Sequence, residues 1–395
     1  MSASGWRPLL EGDDAARARE AVDAIFAALA ERTLGPALDG GDAGLALLGA
    51  YLSQAGDDAA GDRAVDALER AMDGMGDAPS PWILGGFTGI AWTVAHLAPL
   101  VNLEAETLDE LDELIGAFAT INPWPYEVEY VAGLVGVGAY PLERESDATQ
   151  AMLARMVAHL AATAERDAAG ATWRSPPRLL AHHGPDWVER YKDGYHNLGL
   201  AHGVVGVAAF LAGAARRGVD GARGLLEECV AWIAAQDRHT PEVRIPTMLV
   251  EGGRGVSRDG WCYGDQAAAT TLLAAGGPPA WRELALDLSR AVATREPFMK
   301  LEADFCHGTA GRAHMFNRVA QATGDAELAD AARHWYRETL ALRAPETGIG
   351  GYESADGPEM STSILVGSMG IALCLAAAVS PVEPAWDRAF LVTVR

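Results

Sequence analysis

Two kinds of apolar pattern alternate along this chain. In the first, apolar residues recur every three to four positions: Leu225, Leu226, Cys229, Val230 and Ile233 share one face while Glu227 and Glu228 turn away. That spacing predicts an amphipathic helix lying on the surface of a folded core. The same reading predicts surface helices over 15–32, 62–75, 148–167, 224–238, 280–296 and 326–343. In the second pattern, runs such as Val207–Leu211 and Ile371–Leu375 are apolar nearly all round, which predicts helices buried on every side. No strand pattern competes with either.

Each buried run follows a pair of glycines three residues apart: Gly41 and Gly44, Gly86 and Gly89, Gly133 and Gly136, Gly203 and Gly206, Gly308 and Gly311, Gly367 and Gly370. A seventh, degenerate copy has Gly264 followed by Ala267, and successive first glycines are 44 to 70 residues apart. Internal repeats of this length are the mark of an array of supersecondary units. Seven units, each one buried helix and one surface helix, predict an all-α fold, an α/α toroid in which seven inner helices are wrapped by seven outer ones, built as a single domain over 1–395. The glycines are expected to let backbones approach closely and to remove a Cβ that would crowd the neighbouring unit. The longest interval, Gly136 to Gly203, carries Trp173-Arg-Ser-Pro-Pro177 and the pair His182-His183. It predicts a helix followed by a long loop insertion, about 168–196, leading onto the active rim.

Equivalent positions in a closed ring point to one rim. His202, Cys262, Cys306 and His307 all lie within two residues before a repeat glycine, so the ring carries them to the same end of the central cavity. Cys262, Cys306 and His307 are three soft or borderline donors that suit Zn²⁺. A structural zinc is closed by four protein ligands, whereas a catalytic zinc keeps one position for water or substrate. The two cysteines are 44 residues apart, unlike the close pairs of structural zinc modules. The competing reading, two buried thiols and a core histidine, leaves the adjacency of Cys306 and His307 and their common register unexplained. Cys229 and Cys374 fall on apolar helix faces and are expected to pack the core. His182 and His183 are expected to be solvated, and His96, His159, His239, His314 and His334 to be structural.

Composition narrows the partners. The chain has 395 residues, 49% of them hydrophobic, enough for a large globular core. A formal net charge of −23 repels phosphate backbones and anionic lipid, so nucleic acid is not an expected partner. No stretch reaches the roughly 18 uninterrupted apolar residues of a membrane span. Four cysteines in a chain this size do not make a disulfide framework. The opening MSASGWRPLLEGDD has neither the basic segment nor the apolar run of a secretory signal, so the expected location is the cytoplasm.

Three motifs, Asn197-Leu-Gly-Leu-Ala-His202-Gly, Trp261-Cys262-Tyr-Gly and Cys306-His307-Gly, together with the glycine repeats, give the chain its resemblance to the lanthionine synthetase C-like family. The likeness runs from about Gly41 to Leu375, and the length resembles the stand-alone cyclases. It implies a zinc-dependent cyclase that adds a cysteine thiolate to dehydroalanine or dehydrobutyrine, forming the thioether rings of a lanthipeptide. Cys262, Cys306 and His307 would hold the metal. His202 matches the family's acid/base histidine, Arg258 a family arginine suited to stabilising enolate charge, and Tyr263 a tyrosine beside a metal ligand. The family's Asp-Val-Ile-x-Gly segment is replaced by Glu129-Tyr-Val-Ala-Gly133, which keeps a carboxylate one methylene longer, able to hold His202 or accept the thiol proton. The implied partners are a dehydrated precursor peptide and a dehydratase. Two other readings stay open: addition of glutathione or another free thiol to dehydroamino acids, and a non-catalytic scaffold for a peptide or dehydratase. A toroid glycosidase or terpene cyclase would need carboxylate pairs or acidic clusters tied to the rims, which the sequence does not supply.

Overall fold

The computed structural model describes residues 5–78, 80–101, 103–249, 259–295 and 301–394. The first glycine of every repeat is the N-cap of a helix. These helices are Asp42–Gln54, Phe87–Leu97, Leu134–Val137 continued by Ala139–Glu143, Val204–Arg216, Asp265–Ala275, Thr309–Thr323 and Ser368–Val379. They are buried as the all-round apolar pattern requires; in Val204–Arg216 every residue from Val204 to Ala214 is buried. Between them run Gly12–Ala30, Asp58–Asp73, Ala105–Ala119, Asp147–Thr163, Ala222–Ala234, Pro279–Ala293 and Ala326–Ala341. Six of these match the surface helices expected from periodicity to within four residues at either end. The seventh, Ala105–Ala119, was not among them, although it buries Leu111, Ile115 and Ala119 at four-residue spacing. No helix among the described residues is long and apolar enough to cross a membrane.

A helix start leaves its first N–H groups without intrahelical partners. Three outer helices satisfy them with side chains: Asp57 accepts from Ala60 N, Ser146 forms a capping box with Thr149, and Asp325 accepts from Glu327 N and Leu328 N. The inner helices use the preceding loop instead. In five of them the first N–H donates to the carbonyl seven residues back: Asp42 to Gly35 at 2.6 Å, Phe87 to Ser80 at 3.0 Å, Leu134 to Glu127 at 2.9 Å, Thr309 to Glu302 at 2.8 Å and Ser368 to Ser361 at 2.9 Å. The loop therefore folds back over the helix end, and this is what the glycines accommodate. A Cβ on Gly44, Gly89, Gly206, Gly311 or Gly370 would overlap the carbonyl oxygen six residues earlier, on Leu38, Ile83, Leu200, Phe305 or Ile364. The crowding expected from a neighbouring unit comes chiefly from the unit's own loop, with neighbours such as Met369 Sδ against Gly44 adding to it. In the degenerate copy Gly264 sits at φ +115°, a backbone region that glycine adopts without strain.

The chain folds as two compact units, Met1–Leu111 with Met299–Arg395, and Asp112–Phe298. In the first, Thr309–Thr323, Ser368–Val379, Asp42–Gln54 and Phe87–Leu97 pack side by side in that order, so the last repeat lies against the first. The closure is fastened by Trp6 Nε1 to the Ala377 carbonyl (2.9 Å) and Leu9 N to the Ala378 carbonyl (2.7 Å). Beneath it, buried Asp387 accepts from Arg318 Nε (2.6 Å), Arg318 Nη2 (2.9 Å) and Thr393 Oγ1 (2.5 Å), and pairs with His314 Nε2 at 2.8 Å. Burial alone would raise the Asp387 pKa, but the Arg318 guanidinium outweighs it and holds the carboxyl well below the usual carboxylate range.

In the second unit the helices after Gly133 pack on Val204–Arg216, which packs on Asp265–Ala275. All five described strands lie here, each of two or three residues. Glu165–Asp167 and Gly170–Thr172 form an antiparallel hairpin, and Arg174–Ser175, Tyr195–Asn197 and Met248–Leu249 a three-stranded antiparallel sheet. The stretch expected as a plain loop over 168–196 thus holds strands, a 3₁₀ turn at Pro177–His183 and a helix at Pro185–Arg190. The side chains of His182 and His183 lie outside the described set.

Gly311→Ala is expected to destabilise the fold by about 1–3 kcal/mol, because the new methyl meets a backbone carbonyl that cannot rotate away. A lowered midpoint in urea denaturation checks this; an unchanged midpoint contradicts the folded-back loop.

Candidate functional site

The residues just before each repeat glycine are tied together by their backbones. Two positions before the glycine, Asp39 N donates to the Leu84 carbonyl (2.9 Å), Ala201 N to the Cys262 carbonyl (3.2 Å) and Cys306 N to the Leu365 carbonyl (2.8 Å). In each case the acceptor is the equivalent residue of the next repeat. A reactive side chain at either of the two positions is therefore mounted on a hydrogen-bonded strap over a helix N-terminus.

In the Asp112–Phe298 unit, Tyr130 N donates to the Ala201 carbonyl (3.1 Å), which joins the loops leading to Gly133, Gly203 and Gly264. Across this junction Glu129 Oε2 meets His202 Nδ1 at 2.5 Å. The Glu129 carboxylate also accepts from Val131 N (3.0 Å) and Ala132 N. Its side chain is 5% exposed against 30% for His202, so a buried carboxylate anchors a ring whose other edge faces outward. The extra methylene of glutamate does not keep the carboxylate from its histidine. Ser175 Oγ donates to the His202 carbonyl (3.0 Å), holding the main chain as well. The Tyr263 ring lies 6.3 Å from that of His202, and its hydroxyl accepts from Asn197 Nδ2 at 3.1 Å. Burial pushes the Tyr263 phenol pKa well up, which keeps it protonated and able to donate. Gly199 makes room for that ring, since a Cβ there would strike it.

Cys262 sits in a turn closed by Gly260 N to the Tyr263 carbonyl (2.9 Å). Arg295 clamps both sides of it. Its guanidinium takes Asp259, three residues before the cysteine, at 2.8 Å to each oxygen, and Asp265, three residues after, at 2.6 Å. Asp259 is held at φ +51°, a strained backbone for a non-glycine residue that the bidentate pair sustains. Asp265 also accepts from Ile245 N (2.6 Å) and Arg244 N (3.1 Å). Burial raises its pKa, and Arg295 opposes that rise. Arg258 lies outside the described residues.

Cys306 and His307 belong to the other unit. Asp304 Oδ1 accepts from His307 N (2.8 Å) and Gly308 N (3.1 Å), fixing the turn that presents them. His307 Nε2 meets Glu302 Oε2 at 2.7 Å, while the Glu302 carbonyl closes the same loop through Thr309 N. With Nε2 donating to Glu302, Nδ1 becomes the ring atom with a lone pair, the arrangement usual for metal-ligating histidines backed by a carboxylate. Glu302, Asp304 and His307 offer donor atoms within 4.8 Å of one another, and Cys262, Cys306 and His307 are a donor set able to hold a metal ion. Two thiols and one imidazole fit Zn²⁺ by ligand softness. Cys229 and Cys374 lie inside helices, and burial pushes both thiols up, as expected of core cysteines.

Sequence reasoning missed Glu302 and Arg295. A carboxylate five residues before a histidine has no fixed signature, though Glu302 and Asp304 flanking Cys306-His307 were a usable hint. Arg295 stands 33 residues beyond Cys262 and carried no motif.

Residues 33–391 match the family described as Lanthionine synthetase C-like protein. No curated protein sequence matches the chain. Among solved structures, nisin cyclase is similar with a TM-score of 0.75 and 18% identity, the likeness covering 94% of this chain and 96% of that one. At that identity the likeness shows the fold, an α/α toroid. With the family match spanning nearly the whole sequence, the chain belongs to the lanthionine synthetase C-like family.

Proposed function

We propose that this protein is a lanthionine cyclase: it joins a cysteine of a dehydrated peptide to a dehydroalanine or dehydrobutyrine of the same peptide through a thioether. The single observation that carries this reading is the pairing of Glu129 with His202 on the strap that also bears Cys262, within a chain of this family. Cys262, Cys306 and His307 are proposed to hold one Zn²⁺, as two thiols and an imidazole suit that ion. When bound, zinc supplies positive charge that lowers the pKa of an incoming thiol, so that thiolate exists at neutral pH.

The remaining work falls to the chain's own groups. The thiol loses its proton, the sulfur bonds to the β-carbon, and the electron pair of the carbon–carbon double bond moves to the carbonyl as an enolate. With Nδ1–H held by Glu129, His202 presents Nε2 to take up a proton and return it to the α-carbon, which completes the addition with no net loss of atoms. An imidazole can both accept and donate a proton, which suits both directions of transfer. Glu129 acts through His202 as a positioning residue. Tyr263, kept protonated by burial, stands beside the ring as a donor to developing charge, and Arg258 is proposed to neutralise the enolate. Arg295 holds Cys262 in place by fixing Asp259 and Asp265. The peptide and a dehydratase that prepares it are the proposed partners, and the cytoplasm the proposed compartment. Glutathione addition uses the same groups; incubating the protein with a dehydrated peptide and glutathione separates the two by product mass, and a glutathione adduct as sole product would replace the cyclase reading.

Cys306→Ala is expected to lose zinc by elemental analysis and to abolish cyclisation while keeping its helix content by circular dichroism; retained cyclisation sinks the metal mechanism. His202→Asn is expected to keep zinc yet slow turnover by about a hundredfold or more, and to remove the corresponding limb of the pH–rate profile. Glu302→Gln is expected to weaken zinc binding by about 10–100-fold in chelator competition, whereas unchanged affinity would leave Glu302 with only its backbone role.

A further inference from the structure

A cavity of about 360 Å³ lies in the Met1–Leu111 and Met299–Arg395 unit, beside the loop that presents Cys306 and His307. Its lining mixes the aliphatic side chains of Leu301, Leu342, Val366 and Ile371 with polar ones, among them the carboxylates Glu302 and Glu353. No lysine or arginine lines it. Arg343, between two lining residues, is turned to the Gly350 carbonyl (2.9 Å) and to Glu20 (2.9 Å). Asp304 also lines the cavity, but one of its oxygens is committed to the amides of His307 and Gly308. Glu353 is exposed. The cavity thus combines apolar side chains with carboxylates, of which Glu353 is exposed, and through Glu302 it adjoins the ring of His307.

A long apolar stem ending in a cation complements such a slot, because the methylenes cover apolar side chains while the charge stays at the exposed carboxylate. We propose that this cavity receives a lysine side chain of the peptide substrate and so selects which cysteine is cyclised. Since Glu302 both lines the slot and touches His307, the lysine must lie close in sequence to the reacting cysteine, within about three residues at roughly 3.5 Å of chain per residue. The net charge of −23 adds long-range attraction for such a peptide. The proposal rests on the cyclase reading for the identity of the substrate.

The test uses two dehydrated peptides that are identical except for lysine or norleucine beside the cysteine, since norleucine keeps the stem and removes the charge. Binding by fluorescence anisotropy and cyclisation kinetics are measured with the wild-type protein and Glu353→Gln. The expected result is that norleucine weakens binding and raises KM by about tenfold in the wild type, as loss of one charge-assisted contact does. In Glu353→Gln the two peptides should become nearly equal, with kcat little changed. Equal affinities in the wild type, or an undiminished lysine preference in Glu353→Gln, would overturn the proposal. A lysine preference in binding without cyclisation of either peptide would support the slot and remove the cyclase reading, so the two claims fail separately.

Discussion

One backbone hydrogen bond, found in five of the seven repeats, shapes the loops before the inner helices: the first N–H of the helix donates to the carbonyl seven residues back. It satisfies a donor that a helix start would otherwise leave unpaired without using a side chain as a cap. The side chains before the helix are thereby released for other work. It also folds the loop so tightly over the helix end that glycine is needed where the carbonyl six residues back presses in. Cys306 and His307 are thus set at the tip of a stiff loop, and there, as between Ala201 and Cys262, a backbone bond to the neighbouring repeat adds to the hold. The repeat is a scaffold for placing reactive groups, and only some copies are loaded.

The loaded copies share a design. His202 and His307 each stand one residue before a repeat glycine, and each has a carboxylate against one ring nitrogen, Glu129 on Nδ1 and Glu302 on Nε2. Which nitrogen is engaged decides which one is presented. With those nitrogens donating, His202 presents Nε2, which suits the proposed proton carrier, and His307 presents Nδ1, which suits the proposed metal ligand. The same ring and the same partner chemistry would thereby serve the two proposed roles, separated by the geometry of the carboxylate. Around Cys262, Arg295 with Asp259 and Asp265 supplies rigidity where the second glycine of the motif is replaced by Ala267.

Much of this was legible in the sequence. Glycine pairs and all-round apolar runs marked the inner helices, and three-to-four periodicity marked six of the outer ones, because burial on one face leaves a direct trace in residue order. Ala105–Ala119 escaped because its buried face is small, with Asp112 lying in it to receive Tyr140 and Ser146. The strands escaped because two or three residues cannot display alternation. The donors Cys262, Cys306 and His307 could be named because cysteine and histidine are few and their register recurs. Of the carboxylates beside the histidines, Glu129, 73 residues from its ring, was reached only through the family resemblance, and Glu302 carried no signature because acidic residues are common. Their roles exist only in the folded chain.

X-ray absorption at the zinc edge tests the central claim most directly, because it reads the coordination sphere itself. The zinc-loaded protein is expected to show two sulfur neighbours at about 2.3 Å with nitrogen or oxygen completing the set, and a third sulfur on addition of a dehydrated peptide that retains its cysteine. A sphere of nitrogen and oxygen alone, or a sulfur count unchanged by the peptide, would contradict the account.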